Sequence, residues 1–339
     1  MNFAIIGCGM IANIHAAALQ AIPDASLVGA FSAVREEAVR FTERYNCNLF
    51  ETQEELLRCP EVDAVCICTP SGYHAEIAVE AMKYDKHVVV EKPMAITLEQ
   101  TQTILKAAEQ YHKKICVISQ MRTARSVNFL KSVIEKGYLG RILFANLSMP
   151  YYRAPSYYQK SNWKGTWKLD GGGALMNQGI HGIDLLLHFC GQPASVYGIA
   201  KTMVHAIETE DTAGALIEFQ NGAIATVQAT TSVPPGHPRI LEICGERGSF
   251  AMEEVDIIRW EVPGVDLPDE LHGPTNQLNT SNDPTKLHAS GHQKQIEDFI
   301  QAVKEDRLPL SNQYEGKKAV EMICSIYRSS QQKLPVRLQ

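Results

Sequence analysis

At 339 residues the chain exceeds one ordinary core, so two domains are expected. With 45% apolar and 21% charged residues it reads as a soluble globular protein, and a net charge of −6 offers no basic face for sequence-independent nucleic-acid binding. No apolar stretch approaches the roughly 20 residues a membrane span requires.

Residues 2–6 read as a strand, 10–21 as a helix, 27–31 as a strand, 35–45 as an amphipathic helix and 54–58 as a short helix. A strand at 64–68, a helix at 74–83, a strand at 88–90, a helix at 98–112 and a strand at 115–119 follow. This alternation implies parallel strands joined by right-handed crossovers. The first half is therefore read as α/β, a doubly wound parallel sheet with its ligand crevice at the carboxyl ends of the strands. Near residue 121 the rhythm changes. A helix at 127–136 precedes β-type runs at 142–149, 194–202, 212–218, 223–231, 239–244, 248–253 and 256–261. Turn signals such as Gln220-Asn221-Gly222 separate several of them. The second half is thus an α+β domain with a large, mostly antiparallel open sheet. Residues 264–282 read as a polar loop, and 293–304 and 315–331 as closing helices. The expected domains are 1–121 and 122–339.

Nine cysteines show no metal-ligand spacing, so no metal is expected. Their odd number fits reduced, buried thiols and a cytoplasmic location. Met1-Asn2-Phe3 enters the first strand without a basic leader, which agrees.

Gly7-x-Gly9-x-x-Ala12 lies between a strand and a helix, the pattern of a Rossmann dinucleotide site. Gly7 permits the tight turn, Gly9 lets backbone approach a pyrophosphate, and Ala12 allows close helix packing. Met10 and Ile11 open the helix at that site. The tip of the second strand carries no acidic residue for ribose hydroxyls. Ser32 and Arg35 stand there instead and point toward NADP rather than NAD. Thr69-Pro70-Ser71-Gly72-Tyr73-His74 forms a turn at the same crevice, with His74 either facing the cofactor or capping the next helix.

The run Val88-Val89-Val90 ends in Glu91-Lys92-Pro93. Pro93 restricts Lys92 to extended backbone and removes an amide, so the lysine projects from a stiff turn. Lys92 is read as a cationic donor at the carbon undergoing redox, against the alternative of a surface lysine. In the second half, Gly171-Gly172-Gly173 leads into a helix carrying Asn177 and His181, four residues apart and so on one face. A histidine that takes a hydroxyl proton beside an amide that holds the neighbouring hydroxyl makes a polyol site. A core histidine paired with Asp184 is the alternative. Tyr151, Arg153 and the neighbouring tyrosines are either a sugar-binding wall or loop packing.

Together these residues resemble the glucose-fructose oxidoreductase / inositol dehydrogenase / rhizopine-catabolism family over nearly the whole chain. The resemblance implies NAD(P)-dependent oxidation or reduction of a sugar or polyol, with the family's lysine at Lys92 and its acid-base histidine at His181. Many members carry an acidic residue four before that histidine, where this chain has Asn177. That departure resembles the branch of nucleotide-sugar and glycoside 3-dehydrogenases. By the same resemblance, Trp163-Lys164 and Gln120 reach the cofactor, Glu91 and Lys92 border it, and Arg122 reaches the substrate. Two other readings stay open: an enzyme with tightly bound NAD that oxidises a sugar transiently for lyase or glycosidase chemistry, and a non-catalytic sensor. A homodimer or homotetramer is expected through the outer face of the second sheet, because 223–228 alternates small apolar residues with Ile224, Thr226 and Gln228.

Overall fold

Short apolar strands alternate with helices through the first third of the chain. They are β1 (Asn2–Ile6), α1 (Met10–Gln20), β2 (Ser26–Phe31), α2 (Arg35–Tyr45), β3 (Asn48–Leu49), α3 (Gln53–Arg58), β4 (Ala64–Ile67), α4 (His74–Lys83), β5 (His87–Val90), α5 (Leu98–Gln110) and β6 (Ile115–Val117). Then come α6 (Arg125–Glu135), β7 (Ile142–Pro150), α7 (Pro155–Gln159), α8 (Ile180–Cys190), β8 (Pro193–Lys201), β9 (Thr212–Phe219), β10 (Ile224–Thr230), β11 (Ile240–Gly245), β12 (Ser249–Glu253) and β13 (Asp256–Glu261). The chain closes with α9 (Ser290–Lys304), α10 (Gln313–Gln332) and β14 (Val336–Arg337). The computed structural model describes residues 1–273, 281–283 and 288–338. Part of the predicted 264–282 loop, residues 274–280, lies outside the described residues.

Two units divide the chain: Met1–Gln120 with Leu287–Lys317, and Met121–Lys286 with Lys318–Gln339. The expected 122–339 domain is therefore corrected, because a late segment returns to the first unit. The reason is burial. The apolar stripe of α9, Ile296, Phe299 and Ile300, shares a core with Phe3, Ile5 and the buried face of α1. The Phe299 ring lies 6.2 Å from Phe3.

The first unit holds a six-stranded sheet of order β3-β2-β1-β4-β5-β6 with every pairing parallel. Strand order reverses between β1 and β4, which opens the crevice at their carboxyl ends. Helices α4 and α5 cover one face, and α1, α2 and α9 the other. Strands β1, β4, β5 and β6 are buried on both faces, which is why they read as continuous apolar runs.

The second unit holds an eight-stranded sheet of order β13-β12-β11-β7-β10-β9-β8-β14. Its pairings are antiparallel except β7 with β10. One face packs against α8 and the later part of α10, through residues such as Leu147, Val227, Ile183 and Ile323. The other face carries Leu216 and Ile224, 52% and 50% exposed. Among the described residues no helix is long and apolar enough to cross a membrane.

Candidate active site

The turn after β1 has room for no side chain at Gly7. Its φ is +94°, and an added Cβ would lie 2.8 Å from the Cys68 carbonyl carbon and 2.9 Å from the Thr69 nitrogen. Glycine is required there twice over, for conformation and for the close approach of two strand ends. At Gly9 an added Cβ would meet no atom of the described residues within 4 Å, so the space above that backbone is open. Helix α1 begins there with no side-chain cap bond and no acidic residue in its first turn. Its leading N–H groups and positive helix end suit an anion. Met10 is exposed, Ile11 half-buried, and Ala12 wholly buried as a packing residue. Across the crevice the Thr69 hydroxyl is buried without a partner among the described residues, beside Pro70 and the buried Ser71. Open space, free amides and an orphaned hydroxyl fit a dinucleotide.

The other expected contacts are distributed unevenly. Arg35 forks onto Glu51 at 2.6 and 3.1 Å, an exposed pair, while the Ser32 hydroxyl accepts the Val34 N–H at 3.3 Å. His74 neither caps α4 nor opens to the crevice. Its buried ring spans two turns, with Nδ1 2.8 Å from the Pro93 carbonyl and Nε2 2.9 Å from the Thr69 carbonyl. Burial lowers its pKa, and a neutral ring can donate to only one of these oxygens. Glu91 is also buried, its carboxylate facing protein donors rather than solvent. Lys92 is half-buried between these two anchors: Glu91 Oε2 accepts its N–H at 3.1 Å, and His74 meets the carbonyl of the next residue. Gln120 begins the 3₁₀ turn Gln120–Thr123 and is packed by Gly291, where a Cβ would come within 2.9 Å.

In the second unit the glycine run bends sharply. Gly172 has φ +157°, and a Cβ at Gly173 would collide with the Glu210 backbone carbonyl. The buried Glu210 carboxylate organises this bend by accepting N–H groups of Gly173 at 3.0 Å and Leu175 at 2.8 Å and the Tyr327 hydroxyl at 2.8 Å. Burial raises its pKa despite those bonds. Sequence reading missed Glu210; an acidic pair, Glu210-Asp211, just before an apolar strand was its only signal. The residues after the bend form a π turn, Ala174–Gly179, before α8 begins. Asn177 lies in the π turn and His181 in α8, so the single α-helical face expected for them is corrected. A wider turn re-aims its side chains, and such turns gather at functional sites.

Asn177 and His181 are both half-buried. The Asn177 amide donates to the buried Asp170 carboxylate and accepts from Gln178 at 2.7 Å. Asp170, another residue not singled out in the sequence, also accepts the Gly165 N–H at 2.8 Å. Asp184 receives Arg122 in a two-pronged pair, Nε to Oδ2 at 2.8 Å and Nη2 to Oδ1 at 2.6 Å. That pairing engages both the residue expected at the substrate and the partner offered to His181. Arg153 is buried, donating to Gln178 Oε1 and to the carbonyls of Tyr152 and Ser281. Tyr151 is buried as well, its ring 5.7 Å from the Arg153 guanidinium. These contacts match loop packing. Lys164 lies over the Tyr157 ring at 3.8 Å, with half-buried Trp163 beside it. All nine cysteines are free, and burial pushes the Cys8 thiol up to about 12, so it is a poor nucleophile.

A parallel sheet with a glycine turn over a helix N-terminus, and a lysine fixed at the end of another strand of the same sheet, define an NAD-binding oxidoreductase. Residues 1–119 match the oxidoreductase family with NAD-binding Rossmann fold, and residues 127–251 match the GFO/IDH/MocA C-terminal domain. The chain belongs to this family. It is 28% identical over 260 residues to glucose-6-phosphate 3-dehydrogenase of Bacillus subtilis, covering 73% of this chain and 72% of that one. It is 24% identical to myo-inositol 2-dehydrogenase of Thermotoga maritima, covering 100% of this chain and 99% of that one. Among solved structures, the WlbA dehydrogenase of Bordetella pertussis, in complex with NADH and UDP-GlcNAcA, superposes with a TM-score of 0.91. It is 29% identical and covers 100% of this chain and 98% of that one.

Proposed function

We propose that the chain transfers a hydride between NAD and a secondary hydroxyl, at C3, of a sugar, glycoside or nucleotide sugar. The observation that carries the reading is the fixed backbone of Lys92, at a strand end of the unit that also carries the open Gly9 cradle. Similarity to a 3-dehydrogenase of a sugar phosphate and to a dehydrogenase holding a nucleotide sugar supports the substrate class. NAD is preferred over the NADP suggested by Ser32 and Arg35, because Arg35 already pairs with Glu51 and the WlbA structure contains NADH.

Gly7, Gly9, the first turn of α1 and Thr69 would hold the dinucleotide, which when bound supplies the hydride acceptor or donor. His181 takes the proton of the reacting hydroxyl, and Lys92 as an ammonium group stabilises the oxygen as it gains charge. Asn177, braced by Asp170 and Gln178, presents its amide to an adjacent hydroxyl. Correct placement of these groups supplies most of the rate.

The test is a screen of glycosides, nucleotide sugars and inositols for NADH formation, with 3-deoxy analogues as controls. On the active sugar, Lys92→Ala and His181→Ala should each lower turnover by about 100-fold or more, with NAD affinity little changed. A His181→Ala enzyme with wild-type turnover refutes the assignment. NADH that never leaves the protein during turnover favours transient oxidation instead. The same family of readings includes self-association through the exposed outer face of the second sheet.

A further inference from the structure

One cluster of buried titratable side chains lies outside the proposed chemistry. In the first unit, Glu91 Oε1 lies 2.9 Å from Nε2 of His15 on α1 and 3.1 Å from Nε2 of His292 on α9. Its other oxygen, Oε2, accepts the Lys92 N–H at 3.1 Å. The His15 side chain is 0% exposed, that of His292 1% and that of Glu91 7%. The two rings meet edge to face at 5.2 Å. Cys66 and Cys68 from the β4 end, Cys116 from β6, and His74 are further titratable groups that the Glu91 charge influences.

The spacing also suits a set of two histidines and a carboxylate around a metal. The far side of each ring argues otherwise. A metal-bound imidazole ordinarily donates its second N–H to a further partner, yet both Nδ1 atoms are buried without one among the described residues. If each ring is neutral with its proton on Nε2, both donate to Glu91 and leave only a lone pair at Nδ1. No buried proton is then stranded. A buried carboxylate is costly unless donors surround it, and here three N–H groups do so.

We propose that His15 and His292 clamp Glu91 as a positioning device for Lys92. Two neutral imidazoles from different helices hold the carboxylate, and the carboxylate holds the Lys92 amide at the end of β5. With His74 on the far side of the same turn, the lysine backbone is fixed at both flanks. The proposal rests on the reading of Lys92 as a catalytic residue, and it gives α9 a reason to return to the first unit beyond covering apolar surface.

The test uses full-length protein and the variants His292→Leu, His292→Gln, Glu91→Ala and Lys92→Ala. Pro93 has no amide, so hydrogen exchange at Lys92 can be isolated from its neighbour. His292→Leu should speed exchange at Lys92 about tenfold, the scale of a weakened hydrogen bond to a charged acceptor. With UDP-GlcNAcA and NAD as probe, its kcat should fall about tenfold while KM stays within about threefold, as expected for misplacement without lost binding. His292→Gln, which can still donate to Glu91, should recover most of both losses at a matched unfolding midpoint. Glu91→Ala should exceed His292→Leu in both effects; if it does not fold, the His292 pair still decides. Histidine-ring ¹⁵N spectra should show both rings as neutral Nε2–H tautomers. Unchanged Lys92 exchange and kcat in His292→Leu, with Lys92→Ala inactive, overturn the clamp and leave the catalytic reading standing. Wild-type turnover of Lys92→Ala removes the catalytic reading instead. If the probe is not turned over, exchange and tautomers decide alone: a proton-free Nε2 on either ring, or zinc at one per chain in purified protein, overturns the proposal.

Discussion

Breaking the Arg122–Asp184 pair separates a structural arginine from a substrate-binding one. Both side chains are largely sequestered, 11% and 7% exposed, and joined by two short charge-assisted bonds of 2.8 and 2.6 Å. Arg122→Ala leaves the Asp184 carboxylate buried without its cation. That loss is expected to cost the second unit about 3–5 kcal/mol, the usual scale for stranding one partner of a buried pair. Replacing both charges by apolar groups, Arg122→Met with Asp184→Leu, removes the stranded charge along with the attraction. The double variant should therefore be more stable than Arg122→Ala. All three tryptophans, Trp163, Trp167 and Trp260, belong to the second unit, so their fluorescence in urea follows that unit specifically. If Arg122→Ala unfolds within about 0.5 kcal/mol of wild type and only KM rises, the structural argument is wrong and Arg122 serves the ligand.

Gly7→Ala combines a positive φ with Cβ contacts of 2.8–2.9 Å. It should destabilise the first unit by about 2–5 kcal/mol and abolish NAD binding in calorimetry. Gly9→Ala meets open space, so it should fold normally and still lose NAD affinity; wild-type binding by both variants refutes the cradle. Burial alone raises the Glu91 pKa, but the bonds from His15 and His292 outweigh it and hold the carboxyl well below the usual carboxylate range. Its contribution to stability is present above the unfolded value of about 4.3 and is lost as pH falls through the folded value. Wild type should then lose more urea stability than Glu91→Gln on acidification, read by circular dichroism; parallel losses contradict the linkage. Self-association through the outer face predicts that Leu216→Glu with Ile224→Glu dissociates the assembly, since both side chains are half-exposed there. Light scattering of wild type at 37.6 kDa rules that out.

Local pattern carried much of this protein. The alternation of apolar runs with amphipathic helices, the glycine turn at Gly7 and the strand-end position of Lys92 are all properties of a few consecutive residues. Periodicity and turn chemistry express these without reference to the rest of the chain. What tertiary structure decided was the choice among partners far apart in sequence. Nothing near residue 292 shows that α9 covers the first sheet, or that His292 and His15 meet on Glu91. Nothing near residue 122 selects Asp184, and the burial of Arg153 and the parallel pairing of β7 with β10 are equally non-local. The π turn at Ala174–Gly179 is imposed from outside, by a Glu210 carboxylate that claims the amides of Gly173 and Leu175. A buried charge must find its donors wherever packing brings them, and packing is a property of the whole fold rather than of the segment that carries the charge.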